Sequence, residues 1–122
     1  MTVRDAVAKT DKYKPNGYDT VQKITWLNSL DRKIFNDFIL PRNPSASFGG
    51  YDETTDVETE LLVPDDYAEL YIYYLAAMID FYNNETARYS NDMSMYNETY
   101  AAYARWENRT DPPEASGNFI VI

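Results

Sequence analysis

Carboxylates are the side chains here best suited to acid–base or cation chemistry, and they cluster. Asp65 and Asp66 stand side by side, and paired carboxylates are the working groups of many hydrolases. The pair follows Pro64 and opens an apolar helical pattern, where the helix dipole alone favours acids. Asp52, Glu53, Asp56, Glu58 and Glu60 form a second run. It lacks the D-x-[DN]-x-[DN]-G-x5-E spacing of a calcium loop, so no metal is expected there. The chain contains no histidine and no cysteine. That removes the usual general base, the commonest metal ligand, thiolate chemistry and every Ser-His or Cys-His pair. Neither an enzyme nor a bound cofactor is expected.

Tyrosine is the other conspicuous residue. Nine of the twelve tyrosines lie between Asp65 and Arg109, a stretch without Gly or Pro. Ala68, Ile72, Leu75, Ile79, Tyr82, Thr86, Tyr89, Met93, Tyr96, Tyr100 and Tyr103 recur there at three- and four-residue steps, the stripe of an amphipathic helix. Tyrosine gives such a stripe a large apolar body with a hydroxyl that tolerates water. One reading of Tyr82, Tyr89, Tyr96 and Tyr103 is an ordinary core face. The other is a subunit interface, where Tyr and Trp are enriched. The register passes through Asn83-Asn84 without slipping. Unbroken, the stretch would run ~68 Å at 1.5 Å per residue, too long for a 122-residue monomer to bury. Periodicity favours a rod and compactness a helical hairpin, and the sequence leaves both open.

The preceding elements must cover this stripe. Thr2 can cap a short helix from Val3 to about Asp11, with Val3, Ala6 and Val7 as its apolar face. Lys14-Pro15-Asn16-Gly17 stops it. Asp19-Thr20-Val21-Gln22 resembles a capping box opening a second helix, expected to reach Ile39 before Pro41. Its apolar face is Val21, Ile24, Leu27, Leu30, Ile34, Phe35 and Phe38, with Trp26 and Ile39 beside it. Trp26 is a candidate interface anchor, with core packing the plainer alternative. Residues 41–64 read as a long acidic loop, in which Phe48 and Tyr51 can dock on the body or on a neighbour. Leu61-Leu62-Val63 returns the chain to the core. After Arg109, Asp111-Pro112-Pro113 ends the helix. Residues 111–122 form an extended arm that closes on Phe119, Ile120, Val121 and Ile122. Those four apolar residues either fold back or add to a partner as a strand.

The fold expectation is therefore all-α: a bundle of three or four helices over 1–110, with a long loop at 41–64 and an arm at 111–122. The length suits one domain with a modest core. With 44% hydrophobic residues the chain is not disordered throughout. The N-terminal MTVRDAVAKTDKYK lacks an apolar h-region, so no signal peptide is expected. No run of about 18 apolar residues suggests a membrane span. The sequons at Asn84, Asn97 and Asn108 are accordingly read as chance. Residues 1–42 carry eight basic and five acidic side chains, whereas 43–122 carry three and fifteen. The balance of +3 and −12 gives the net −9. Such a surface repels nucleic-acid backbone. Its asymmetry suits either a solvated face or head-to-tail pairing between copies.

The segments KITWLNSLDRKIFNDFIL and ELLVPDDYAELYIYYLAAMIDFYNNETARYSNDMSMYNETYAAYARWENR resemble those of small tailed-bacteriophage proteins. With the element order around them, the chain from about Thr2 to Thr110 is similar to the head–tail connectors, or neck adaptors. The resemblance rests on helix pattern and Tyr/Asn motifs rather than a catalytic signature, and the Tyr-rich region here is longer than in some connectors. It implies a virion structural protein in the neck, present in the host cytoplasm before assembly. Such proteins form rings, commonly of about twelve subunits, beneath the portal. They extend the DNA channel and dock the next neck or tail completion protein, without specific DNA binding and without membrane contact. Residues Phe119 to Ile122 would be the portal or neighbour-binding arm, Phe48 and Tyr51 loop contacts, and Trp26, Tyr82, Tyr89, Tyr96 and Tyr103 interface candidates. The alternative from another class is a small acidic binding or inhibitor protein acting on a basic host protein.

Overall fold

A computed structural model describes residues 1–110. Helix α1 spans Val3–Tyr13. Thr2 caps it, its Oγ1 accepting from the Asp5 N–H at 3.1 Å. Val3, Ala6, Val7 and Thr10 are buried, the i, i+3, i+4, i+7 face of one helix. Its first two N–H groups have no intrahelical acceptor. They bond instead to the long loop, Val3 to the Thr59 carbonyl at 3.0 Å and Arg4 to that of Val57 at 2.8 Å. Thr2 and Glu60 form an isolated antiparallel bridge, and no strand forms among the described residues.

Helix α2 covers Thr20–Ile34 and is capped by Asp19, whose Oδ1 accepts from the Gln22 N–H at 2.8 Å. It continues as a π-helical turn over Phe35–Ile39, closed by the Leu40 N–H on the Phe35 carbonyl at 2.9 Å. The helical path thus ends before Pro41 as expected, with a wider last turn. Val21 was expected on the buried face but is 47% exposed. Steps of three residues drift about 60° around a helix at each step, so Val21 falls away from the stripe that Leu27, Leu30 and Ile34 occupy. Lys23 takes the buried place, its ammonium reaching Asp11 Oδ1 at 2.8 Å and the Tyr18 carbonyl at 2.7 Å.

A 3-10 turn over Asp65–Tyr67 leads into α3, Glu69–Tyr82. Leu70, Tyr71, Leu75, Ala76, Ala77 and Ile79 of α3 are buried, because this helix packs against α1, α2 and the last helix. Helix α4 spans Thr86–Thr110. The two possibilities for the Tyr-rich stretch are resolved as a hairpin. Asn84 adopts φ 59°. The Asn84 N–H bonds to the Phe81 carbonyl at 3.1 Å and the Glu85 N–H to that of Asp80 at 2.9 Å. These are the paired bonds of a Schellman end, and asparagine tolerates the left-handed position it needs. Glu85 then opens α4, its carbonyl accepting from the Tyr89 N–H. Ring contacts Phe81–Tyr89, Tyr74–Tyr96 and Tyr67–Tyr103 run in opposite chain senses, so α3 and α4 are antiparallel.

Candidate functional site

Among the described residues, the sequence-derived contact residues separate into three places. Trp26, Tyr82 and Tyr89 come together at the α3–α4 turn. The Trp26 ring stacks on Tyr82 with centroids 5.7 Å apart, and Tyr18 meets Trp26 edge-on. Phe81 bridges Tyr82 and Tyr89 at 5.1 and 5.7 Å. Trp26 is buried beneath this group, while Phe81 and Tyr82 are 54% and 56% exposed. Beside them lies an open cavity of about 280 Å³ lined by Asp80, Phe81, Asn84, Glu85, Thr86 and Tyr89. Phe81 lies off the three–four stripe, which is why periodicity did not select it. Its signal was composition: one more aromatic next to a helix-ending Asn pair.

Tyr96 and Tyr103 lie in the second place, the chain's own core. Tyr103 meets Phe38 edge-on at 5.2 Å, and Tyr96 packs on Tyr74 at 5.3 Å. Phe48 and Tyr51 occupy the third, docked on α2. Phe48 stacks on Phe35 at 5.8 Å beneath the Arg32 guanidinium, 5.0 Å from its ring. The Tyr51 N–H donates to Asn28 Oδ1 at 2.8 Å. Gly50 between them has φ 82°, and a Cβ there would lie 2.5 Å from Arg32 Nη2 and 2.7 Å from Asn28 Oδ1. Phe119, Ile120, Val121 and Ile122 lie outside the described residues.

The buried carboxylates are not among the residues that composition and spacing single out. Asp31 is fully buried and accepts from Tyr51 Oη at 2.6 Å, Tyr71 Oη at 2.5 Å and the Leu62 N–H at 3.1 Å. Tyr71 Oη in turn accepts from the Val63 N–H at 2.9 Å. Desolvation pushes the Asp31 carboxyl above its ordinary range, opposed by these donors. The group joins α2, α3 and the end of the loop, and its chemistry is that of a clamp.

Asp80 and Asp92 form a second centre between α3 and α4. Lys14, just past α1, places Nζ 2.9 Å from Asp80 Oδ1 and 3.3 Å from Asp92 Oδ2. Tyr13 Oη donates to Asp92 Oδ1 at 2.8 Å. Asp80 is fully buried, and its oxygens lack a well-aligned hydrogen bond despite the nearby ammonium. Burial, together with the neighbouring Asp92 carboxylate, pushes its carboxyl up to about 6 against the pull of Lys14. Tyr13, hydrogen-bonded to Asp92 and desolvated, is pushed up to about 12. A sequence signal existed for both centres. Asp31 lies four residues after Leu27 and three before Ile34, and Asp92 lies three after Tyr89 and four before Tyr96. An acid on an apolar helical face needs a buried partner.

Asp65 is exposed in the 3-10 turn ahead of α3. It receives the Met1 ammonium, and that hydrogen bond holds its carboxyl below the usual range. Met1 also contacts Glu60 at 3.0 Å, and Arg4 pairs with Glu58. Arg42 meets Glu107 at 3.0 Å. The basic N-terminal third is therefore matched in part by the chain's own later acids. No grouping of three or more metal-ligating carboxylates occurs among the described residues, and no described helix is long and apolar enough to cross a membrane. No family model, curated protein or solved structure matches this chain.

Proposed function

We propose that this chain is a structural adaptor of the bacteriophage head–tail connector kind. It assembles as a ring beneath the portal, extends the DNA channel and receives the next neck or tail protein. Its role is one of contact, without catalysis or cofactor. The observation that carries this reading is the aromatic end of the α3–α4 hairpin, where Phe81 and Tyr82 stand more than half exposed over Trp26. Exposed aromatic side chains grouped at one end suit a protein contact. In a ring each copy presents this end to a neighbour or to the portal, a heterologous interface that closes on itself. The net charge of −9 lets DNA pass a lumen without adhering.

The mass of the full chain in solution, alone and with a portal protein, tests the reading. Ring-sized species or a stoichiometric complex with portal are expected. The Phe81→Ser variant should weaken that assembly at least about tenfold while leaving thermal stability near wild type, as loss of an interface anchor does. A chain that stays monomeric and ignores portal at high concentration would sink the adaptor reading. One observation favours the second reading, an acidic binding protein for a basic host surface: all eight acids from Asp52 to Glu69 are exposed. A monomer that bound a basic protein with steep salt dependence would support it instead.

A further inference from the structure

We propose that the Lys14–Asp80–Asp92 junction is a proton-operated latch: one proton held on Asp80 leaves Lys14 balanced by Asp92 and clamps α1 onto the α3–α4 hairpin, and its loss to solvent loosens that clamp. Three elements meet here, and each supplies one charged group. Lys14 comes from the end of α1, Asp80 from α3 and Asp92 from α4. Both carboxylates lie within 3.3 Å of the same ammonium, with Asp80 fully buried and Asp92 nearly so. With both acids ionised, the junction holds one more negative than positive charge out of water. That state is costly in a poorly solvated interior. With one proton the junction is neutral. The raised Asp80 carboxyl agrees with this geometry.

The surroundings supply few other charges. From α1, Tyr13 donates to Asp92 and packs edge-on against Tyr73 of α3, 5.9 Å away. Glu69, the acid nearest Tyr73 on α3, lies one helical turn further from the junction. From α4, Arg88 lines the same surface cavity as Lys14 and Asp92 but is paired with Glu85 at 2.7 Å. From the α1–α2 connection, Tyr18 donates to Asn83 at 2.8 Å. Helix α2 presents Trp26 to Tyr82, and its Lys23 is held by Asp11. The balance at Asp80 is therefore set chiefly by Lys14 and Asp92.

The sign follows from linkage. The native state holds a proton that the unfolded chain has released, so stability falls as pH rises from the ordinary carboxylate value of 3.8 through about 6. Urea unfolding of the full chain at about pH 5 and about pH 7.5 reads this directly. Wild type should lose midpoint over that interval. Asp80→Asn mimics the protonated acid and leaves Lys14 paired with Asp92 alone. Its unfolding constant at about pH 7.5 should be about ten- to a hundredfold smaller than that of wild type, with a flatter pH dependence. Asp31 titrates in both proteins, so the difference between them carries the test. Equal slopes for the two proteins would overturn the latch. Should the variant fail to fold, carboxyl-carbon NMR of the wild-type chain decides. The Asp80 signal is expected to titrate near 6, with the α1 amides following the same midpoint. An Asp80 midpoint near ~3.9, or α1 amides silent through it, overturns the proposal.

Discussion

Asp31 holds together segments far apart in sequence, and its three hydrogen-bond partners are all neutral. A buried carboxylate without a cation persists only while its donors stay in place. Tyr71→Phe removes one donor from Asp31 and the acceptor of the Val63 N–H. It should cost about 2–4 kcal/mol in chemical unfolding, above the usual single hydrogen bond, because two groups are orphaned. Asp31 is also raised, so it adds to the loss of stability with rising pH rather than opposing it. Gly50 is constrained twice, by its left-handed φ and by its approach to Arg32 and Asn28. Gly50→Ala should therefore destabilise by about 1–3 kcal/mol. In that variant, faster hydrogen exchange of the Tyr51 amide, which donates to Asn28 Oδ1, would report whether the loop lifts from α2.

At the level of elements, the decisive local feature is the end of α3. The left-handed Asn84 lets α4 turn back, and glycine adopts that conformation with less strain than asparagine. Asn84→Gly should leave thermal stability equal or slightly higher. Asn84→Val should lower it by about 1–2 kcal/mol, because a β-branched side chain resists positive φ. Equal effects of the two variants would mean that the hairpin does not depend on this turn. The loop at 41–64 follows the same logic. Its aromatic residues anchor on α2, and its last carbonyls satisfy the orphan N–H groups of α1. Such a segment is a covering layer of the bundle rather than a free arm.

For the whole molecule, charge and exposed apolar surface point to different ends. The densest run of exposed acids lies along Asp52 to Glu69, while Phe81 and Tyr82 mark the hairpin end. Much of the basic N-terminal charge meets acids of the same chain at Glu58, Glu60, Asp65, Asp80 and Glu107. Association between copies should accordingly depend only weakly on salt if the aromatic end drives it. Sedimentation at about 0.05 M and about 0.5 M salt would check this, with a steep loss at high salt pointing to charge pairing instead.

The sequence by itself determined the all-α class, the caps at Thr2 and Asp19, the stop before Pro41 and the return of Leu61 and Val63 to the core. These are local matters of backbone donors, ring constraints and residue spacing, and each was legible in a few neighbouring residues. Trp26, Tyr82 and Tyr89 were legible as aromatic candidates, but their meeting at one end was not. Periodicity reports which face is apolar. It does not report whether the helix axis reverses, and the stripe ran unbroken through the residues where the chain turns. Only the tertiary structure decided the hairpin, because one left-handed residue sets it. Only packing sent Tyr96 and Tyr103 inward and left Phe81 outside. The buried acids needed it most, since Lys14 at the end of α1, Asp80 of α3 and Asp92 of α4 come from segments whose proximity no local pattern encodes.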